Sequence, residues 1–248
     1  DAIMVARGDL GVEMPLETVP TVQKRLIAEA RAAGKPVITA TDMLDSMRTN
    51  PRPTRAEASD VANAIFDGTD AVMLSGETAV GAYPLAAVQC MARIAEETES
   101  QLMHDESRRP ALFVTDPTAD PVMEALAHDT VDLARKIGAD AIVSPTLTGR
   151  TARSLSKHRP SAPVIAAGPS PEVLREMAVI WGVTPILMNK LSAGQDRLQG
   201  AIRDGFASGV LPAGSLVVVL AGHPMEAGSR FPTIRIVRVG AGGSSQEP

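Results

Sequence analysis

Short apolar runs alternate with amphipathic stretches at a nearly constant interval along the first hundred residues, and this periodicity limits the fold more than any other feature. The runs at 2–6, 36–40 and 70–74 have the length of buried strands. The stretches at 16–33, 54–66 and 84–98 carry apolar residues at helical spacing. The strand candidates begin about 34 residues apart, the size of a strand-plus-helix unit, which predicts a parallel sheet with helical returns. A parallel arrangement places every strand's C-terminal end along one edge. Gly34 and Gly68 stop the first two helices, and Thr54 with Glu57 has the spacing of a capping box ahead of the second.

The period lapses at 104–120, a polar, proline-bearing stretch that reads as a linker between domains spanning 1–103 and 121–239. Beyond it the pattern predicts a helix over 121–136 and strands at 141–144, 164–167, 185–188 and 216–220, with helices between. A last strand at 234–239 follows too short a loop for a helix and is expected to pair as an antiparallel edge. The second domain is thus α/β with a mainly parallel five-stranded sheet. The tail 240–248, GAGGSSQEP, has little to bury and is expected to be flexible. Eight strands in about 250 residues would suit one closed barrel. The change of spacing at 104–120 and the missing helix before the last strand argue against it.

An apolar share of 44% supports a sizeable core, and 24 basic against 29 acidic residues, a net charge of −5, disfavours nucleic acid or an anionic membrane as partner. Aromatics are 2% of the chain, too few for base-stacking platforms. Cys90 is the single cysteine, so no internal disulfide forms, and with no signal-like or long apolar segment the expectation is a cytoplasmic protein. The histidines at 104, 128, 158 and 223 lack zinc-site spacing.

Polar residues cluster where each of the first three strands ends: Arg7-Gly8-Asp9, then 39–42 including Thr41, then Ser75-Gly76-Glu77-Thr78. The C-terminal rim of a β/α sheet is where active sites are built. Each cluster singly also reads as routine helix capping and turn chemistry. Arg7 and Glu77 also admit a plain ion pair across the rim. In the second region SPTLTGRTARSLSKHRP places Thr146, Thr148, Gly149, Arg150 and Thr151 between a strand and a helix, as an anion-sized loop or an ordinary hydroxyl cap.

The blocks DAIMVARGDLGVEMP, GKPVITATDMLDSM and NPRPTRAEASDVANAIFDGTDAVMLSGETAVGAYPLAAV resemble, in order and spacing, the last three strands of the pyruvate kinase barrel, over essentially all of residues 1–100. The resemblance implies a partial (β/α)8 barrel, strands 6 to 8, followed by the family's C-terminal regulatory domain. It implies phosphoryl transfer from phosphoenolpyruvate to ADP, with Mg²⁺ (or Mn²⁺) and K⁺. Asp9 would be a ligand to the divalent metal. Gly8 and Asp9 would offer backbone N–H groups to the substrate from a helix starting near Leu10, and Thr41 would contact substrate and help protonate the enolate. Arg7, Ser75 and Glu77 would support the catalytic site, with Arg55 bracing it, from a neighbouring subunit of a homotetramer.

By the same resemblance, the loop with Thr146, Thr148, Gly149, Arg150 and Thr151 would hold a phosphate of an allosteric effector. A second loop, GHPMEAGSRFP, resembles the family's glycine-rich effector loop, with Arg230-Phe231-Pro232 where a Thr-Asn pair is usual. The family's first five strands, lid domain, phosphoryl-stabilising lysine, second metal-site glutamate and K⁺ ligands all lie upstream of the matching region. The chain alone is therefore expected to be inactive. The alternative is a stand-alone module that binds a phosphorylated effector without catalysis.

Overall fold

A computed structural model describes residues 1–104, 120–189, 197–221 and 232–246. The chain divides into two compact units, Asp1–Val114 and Thr115–Pro248.

In the first unit, β1 (Ile3–Ala6), β2 (Val37–Ala40) and β3 (Ala71–Met73) form a three-stranded sheet in that order, parallel throughout. The register pairs Ala6 with Ala40 and Ala40 with Met73, so the three strands end level with one another. Helix α1 (Arg7–Glu13) follows β1 at once, and α2 (Val19–Ala32) returns the chain to β2. Helix α3 (Arg55–Asp67) starts at a complete capping box, with Thr54 and Glu57 bonded reciprocally, and ends at Gly68, whose φ of 94° is the left-handed conformation a side chain resists. A single turn, α4 (Gly76–Ala79), follows β3 and leads to α5 (Pro84–His104). Val61, Ala64 and Ile65 of α3 pack with Ala87 and Met91 of α5 and with Met43, Leu44 and Met47 from the segment after β2. Each of the larger of these buried side chains, Val61, Ile65 and the leucine and methionines, contributes about 1.5–3 kcal/mol, which anchors the β2 rim to the helices beneath it.

The second unit begins with α6 (Pro121–Lys136), capped by the Asp120 side chain on the Val122 N–H. Strands β4 (Ala141–Pro145), β5 (Val164–Gly168), β6 (Val183–Leu187) and β7 (Leu216–Ala221) are mutually parallel, separated by α7 (Arg150–Lys157), α8 (Pro171–Met177) and α9 (Arg197–Ala207). Alternate strand residues feed two cores. Ile142, Val164, Val218 and Leu220 meet α6 and α7 on one face. Ala141, Val143, Ile165, Val217 and Val219 meet α9 on the other. Double burial explains why these strands read as unbroken apolar runs. As expected, β8 (Thr233–Val239) adds antiparallel to β7.

The sheet has six strands, not five, and residues 240–246 are not a free tail. After a short turn at Ala241–Gly243, β9 (Ser245–Gln246) pairs antiparallel with β8, giving the order β6-β5-β4-β7-β8-β9. Apolar burial plays little part in this. The Gln199 side chain donates to the Gly243 carbonyl at 2.8 Å and accepts from the Ser245 N–H at 3.0 Å and its hydroxyl at 2.6 Å. Among the described residues no helix is long and apolar enough to cross a membrane.

Candidate functional site

Because β1 and β2 end in register, the residues that follow them face each other across the rim. Helix α1 starts at Arg7 rather than near Leu10, so Gly8 and Asp9 lie in its first turn. No residue of α1's own cap supplies a side-chain acceptor. Instead, the Thr41 hydroxyl accepts from the Gly8 N–H at 2.9 Å and donates to the Ala40 carbonyl at 2.7 Å. Thr41 thus caps α1 from the neighbouring strand and occupies the Gly8 N–H that the sequence reading offered to a substrate. Asp9 is exposed beside it.

Thr41 and Asp42 have φ of 67° and 53°, the left-handed region that L residues avoid. A β-branched threonine there is a genuine outlier, costing on the order of 1–3 kcal/mol. Arg7 holds this conformation. Its Nη2 and Nε donate to the Thr41 carbonyl at 2.6 and 3.2 Å, and its Nη1 donates to Asp60 of α3 at 2.5 Å.

The ion pair between Arg7 and Glu77 considered from sequence does not form, since Asp60 takes that place. Glu77 is 2% exposed and points inward. Its carboxylate accepts from the Leu44 N–H at 3.0 Å and the Ser75 N–H at 2.8 Å, tying the segments after β2 and β3 together. Both bonds are to backbone donors, which lets a buried carboxylate stay satisfied. The structure therefore joins Arg7, Gly8 and Thr41 in one network and Ser75 with Glu77 in a second. Arg55 is exposed at the start of α3, and no hydrogen bond or ion pair among the described residues links it to either network. Sequence reasoning missed Asp60, which stands 53 residues from Arg7 and carries no motif of its own.

Metal coordination needs several oxygen ligands. Among the described residues no group of three or more His, Cys, Asp or Glu converges. Asp9 can supply one carboxylate to a divalent cation but does not form a site by itself.

In the second unit Thr146 is buried, and its hydroxyl accepts from the Gly149 N–H at 2.9 Å, closing the loop on itself. Gly149, at φ 76°, turns the chain into α7, where a Cβ would stand 3.1 Å from Met177. No side chain caps α7. Among the described residues no side chain accepts from its first N–H groups, with Thr148 and Arg150 exposed beside them and Thr151 buried behind. The other expected effector loop, 222–232, lies outside the described residues except for Pro232.

Each of the two α/β units carries polar loops at the C-terminal ends of its parallel strands, the edge where folds of this class build their ligand sites. Comparison with known proteins makes this specific. Residues 1–88 match the pyruvate kinase barrel domain, and residues 124–237 match the pyruvate kinase alpha/beta domain. The pyruvate kinase of Geobacillus stearothermophilus is 50% identical over 232 residues, 92% of this chain and 39% of that protein. The Clostridium acetobutylicum pyruvate kinase is 49% identical over 227 residues, 90% of this chain and 47% of that protein. A crystal structure of a pyruvate kinase from Cryptosporidium parvum superposes with a TM-score of 0.81 at 39% identity, covering 96% of this chain and 47% of the other. The chain belongs to the pyruvate kinase family. It spans half or less of the length of these relatives.

Proposed function

We propose that the rim of Arg7, Gly8, Asp9 and Thr41 is the C-terminal part of a pyruvate kinase site, within strands 6 to 8 of a (β/α)8 barrel in residues 1–103. In the reaction an ADP phosphate oxygen bonds to the phosphorus of phosphoenolpyruvate, the phosphorus–enol oxygen bond breaks, and the enolate carbon takes a proton to give pyruvate. The observation that carries this reading is the level ending of β1 and β2, which sets the Thr41 hydroxyl against the Gly8 N–H with Asp9 exposed next to it.

Asp9 would hold Mg²⁺ or Mn²⁺ jointly with the glutamate that the resemblance places upstream, and the bound cation would neutralise charge on the phosphoryl oxygens. The resemblance puts the K⁺ ligands upstream as well. Thr41 is suited to proton delivery because a hydroxyl both donates and accepts. To hand on a proton it rotates off the Ala40 carbonyl while Arg7 keeps its backbone in place. Glu77 and Ser75 fix the neighbouring loop, and Arg55, exposed on α3, is free to brace the site from another subunit of a homotetramer.

Residues 121–239 are proposed as the effector domain, with a phosphate held by the first N–H groups of α7, Thr148 and Arg150. The uncapped start of α7 is also what favours the second reading, a stand-alone effector-binding module. Both readings suit a cytoplasmic protein.

The test is a chimera in which residues 1–248 replace the matching part of the G. stearothermophilus pyruvate kinase. In it Asp9→Ala is expected to lower turnover by several orders of magnitude and weaken the Mg²⁺ dependence. Near-normal turnover at saturating Mg²⁺ would reject the assignment.

A further inference from the structure

We propose that Asp60 is a positioning residue for the Thr41 hydroxyl, acting through Arg7; this rests on the functional reading of Thr41 given above. Thr41 and Asp42 are two consecutive non-glycine residues at positive φ, with Thr41 β-branched as well. Aspartate tolerates that conformation, but a β-branched threonine does not, so contacts from elsewhere must hold Thr41 in it. The contacts at the Thr41 carbonyl come from one group, the Arg7 guanidinium, through Nη2 and Nε.

The Arg7 side chain is 10% exposed, and its Nη1 is bonded to Asp60 at 2.5 Å. A planar guanidinium is aimed by its partners on two edges. The Thr41 carbonyl occupies one edge and Asp60 the other. Asp60 is itself fixed, because it precedes the fully buried Val61 on a helix locked at its start by the Thr54–Glu57 capping box. The chain of contacts therefore runs from α3, through Arg7, to the peptide that sets where the Thr41 hydroxyl sits.

Replacing the Asp60 carboxylate with a neutral amide leaves a largely buried cation uncompensated, with a weaker acceptor in place of the charge-assisted bond. Arg7 then loses its aim and the Thr41 peptide relaxes toward negative φ. That relaxation swings the hydroxyl off the Gly8 N–H. Asp60 never touches the reacting atoms in this scheme, so its loss acts on the proton-delivery step rather than on substrate binding.

The test uses the same chimera. Asp60→Asn is expected to lower kcat about tenfold or more, with KM for phosphoenolpyruvate changed by less than about twofold. A crystal structure of the variant is expected to show Thr41 at negative φ and its hydroxyl off the Gly8 N–H. Asp60→Glu is expected to restore most of kcat. Arg7→Lys, which keeps the charge but cannot serve both partners, should reproduce the loss of kcat, and adding Asp60→Asn to it should cost nothing further. Unchanged kcat in Asp60→Asn, or Thr41 still at positive φ in its crystal structure, overturns the proposal. Additive losses in the double variant overturn it too. If the chimera with Asp60 intact forms no pyruvate, the phosphoryl-transfer reading fails, while the crystal structures still decide whether Asp60 governs Thr41.

Discussion

At most exposed positions glycine is less stable than alanine, and Thr41 is expected to reverse that order. Thr41→Ala and Thr41→Gly both remove the hydroxyl, so both lose the bonds to the Gly8 N–H and the Ala40 carbonyl, and those losses cancel in the comparison. The difference that remains is backbone. Alanine must still be held at φ near 67°, where a Cβ costs roughly 1–2 kcal/mol. Glycine carries no such strain, but its unfolded chain has more freedom to lose, worth roughly 0.5–1 kcal/mol in the opposite sense. Thr41→Gly is therefore expected to be more stable than Thr41→Ala by about 0.75 kcal/mol, the difference between the midpoints of the two ranges. The comparison is made in the chimera, from the midpoint of the barrel's urea transition followed by far-ultraviolet circular dichroism. Both variants should be equally poor at making pyruvate. Alanine as stable as glycine would refute the claim that this residue is held in a strained conformation.

In the second unit, burial pushes the Asp204 carboxyl up, but the bonds it accepts from Arg203 and from the Asn189 backbone and side chain outweigh burial and hold it below its ordinary value. A lowered carboxyl contributes stability that is complete above the unfolded pKa of about 3.9 and is lost as pH falls through the lower folded value. Asp204→Asn is thus expected to cost about 1–2 kcal/mol at pH 7, with the gap to wild type closing below about pH 4. Trp181, the single tryptophan, reports the transition, and a gap independent of pH would contradict the assignment. Inorganic phosphate or a sugar phosphate should raise the melting temperature of the same transition. Thr148→Ala with Arg150→Ala should abolish that protection, and protection left intact would place the effector elsewhere.

Where local chemistry decided the fold, it could be read from residues close in sequence. The Thr54–Glu57 box and the Gly68 stop lie within one helix, and the strands at Ile3, Val37 and Ala71 recur on a regular period. The misreadings share a different cause. Helix α1 begins three residues before its first apolar position because Thr41, from another strand, supplies its cap. Segment 240–246 is glycine- and serine-rich and joins the sheet through Gln199, 46 residues before Ser245. The candidate site divides in the same way. Gly8, Asp9 and Thr41 were recognisable from their motifs. The left-handed backbone of Thr41, and the Arg7–Asp60 pair that holds it, arise only once β1, β2 and α3 are assembled, since threonine is among the last residues a sequence would suggest for positive φ.

Pyruvate formation is the measurement closest to the central claim. Phosphoenolpyruvate, ADP, Mg²⁺ and K⁺ are incubated with purified residues 1–248, and separately with the chimera that joins them to the N-terminal part of the G. stearothermophilus enzyme. Phosphoryl transfer depends on positioned charge, and the resemblance puts the phosphoryl-stabilising lysine and the second metal-site glutamate upstream. The expected result is pyruvate from the chimera and none from the chain alone. A folded chimera that makes no pyruvate would contradict the role given to Asp9 and Thr41, and turnover by the chain alone would contradict the claim that it carries only part of the site.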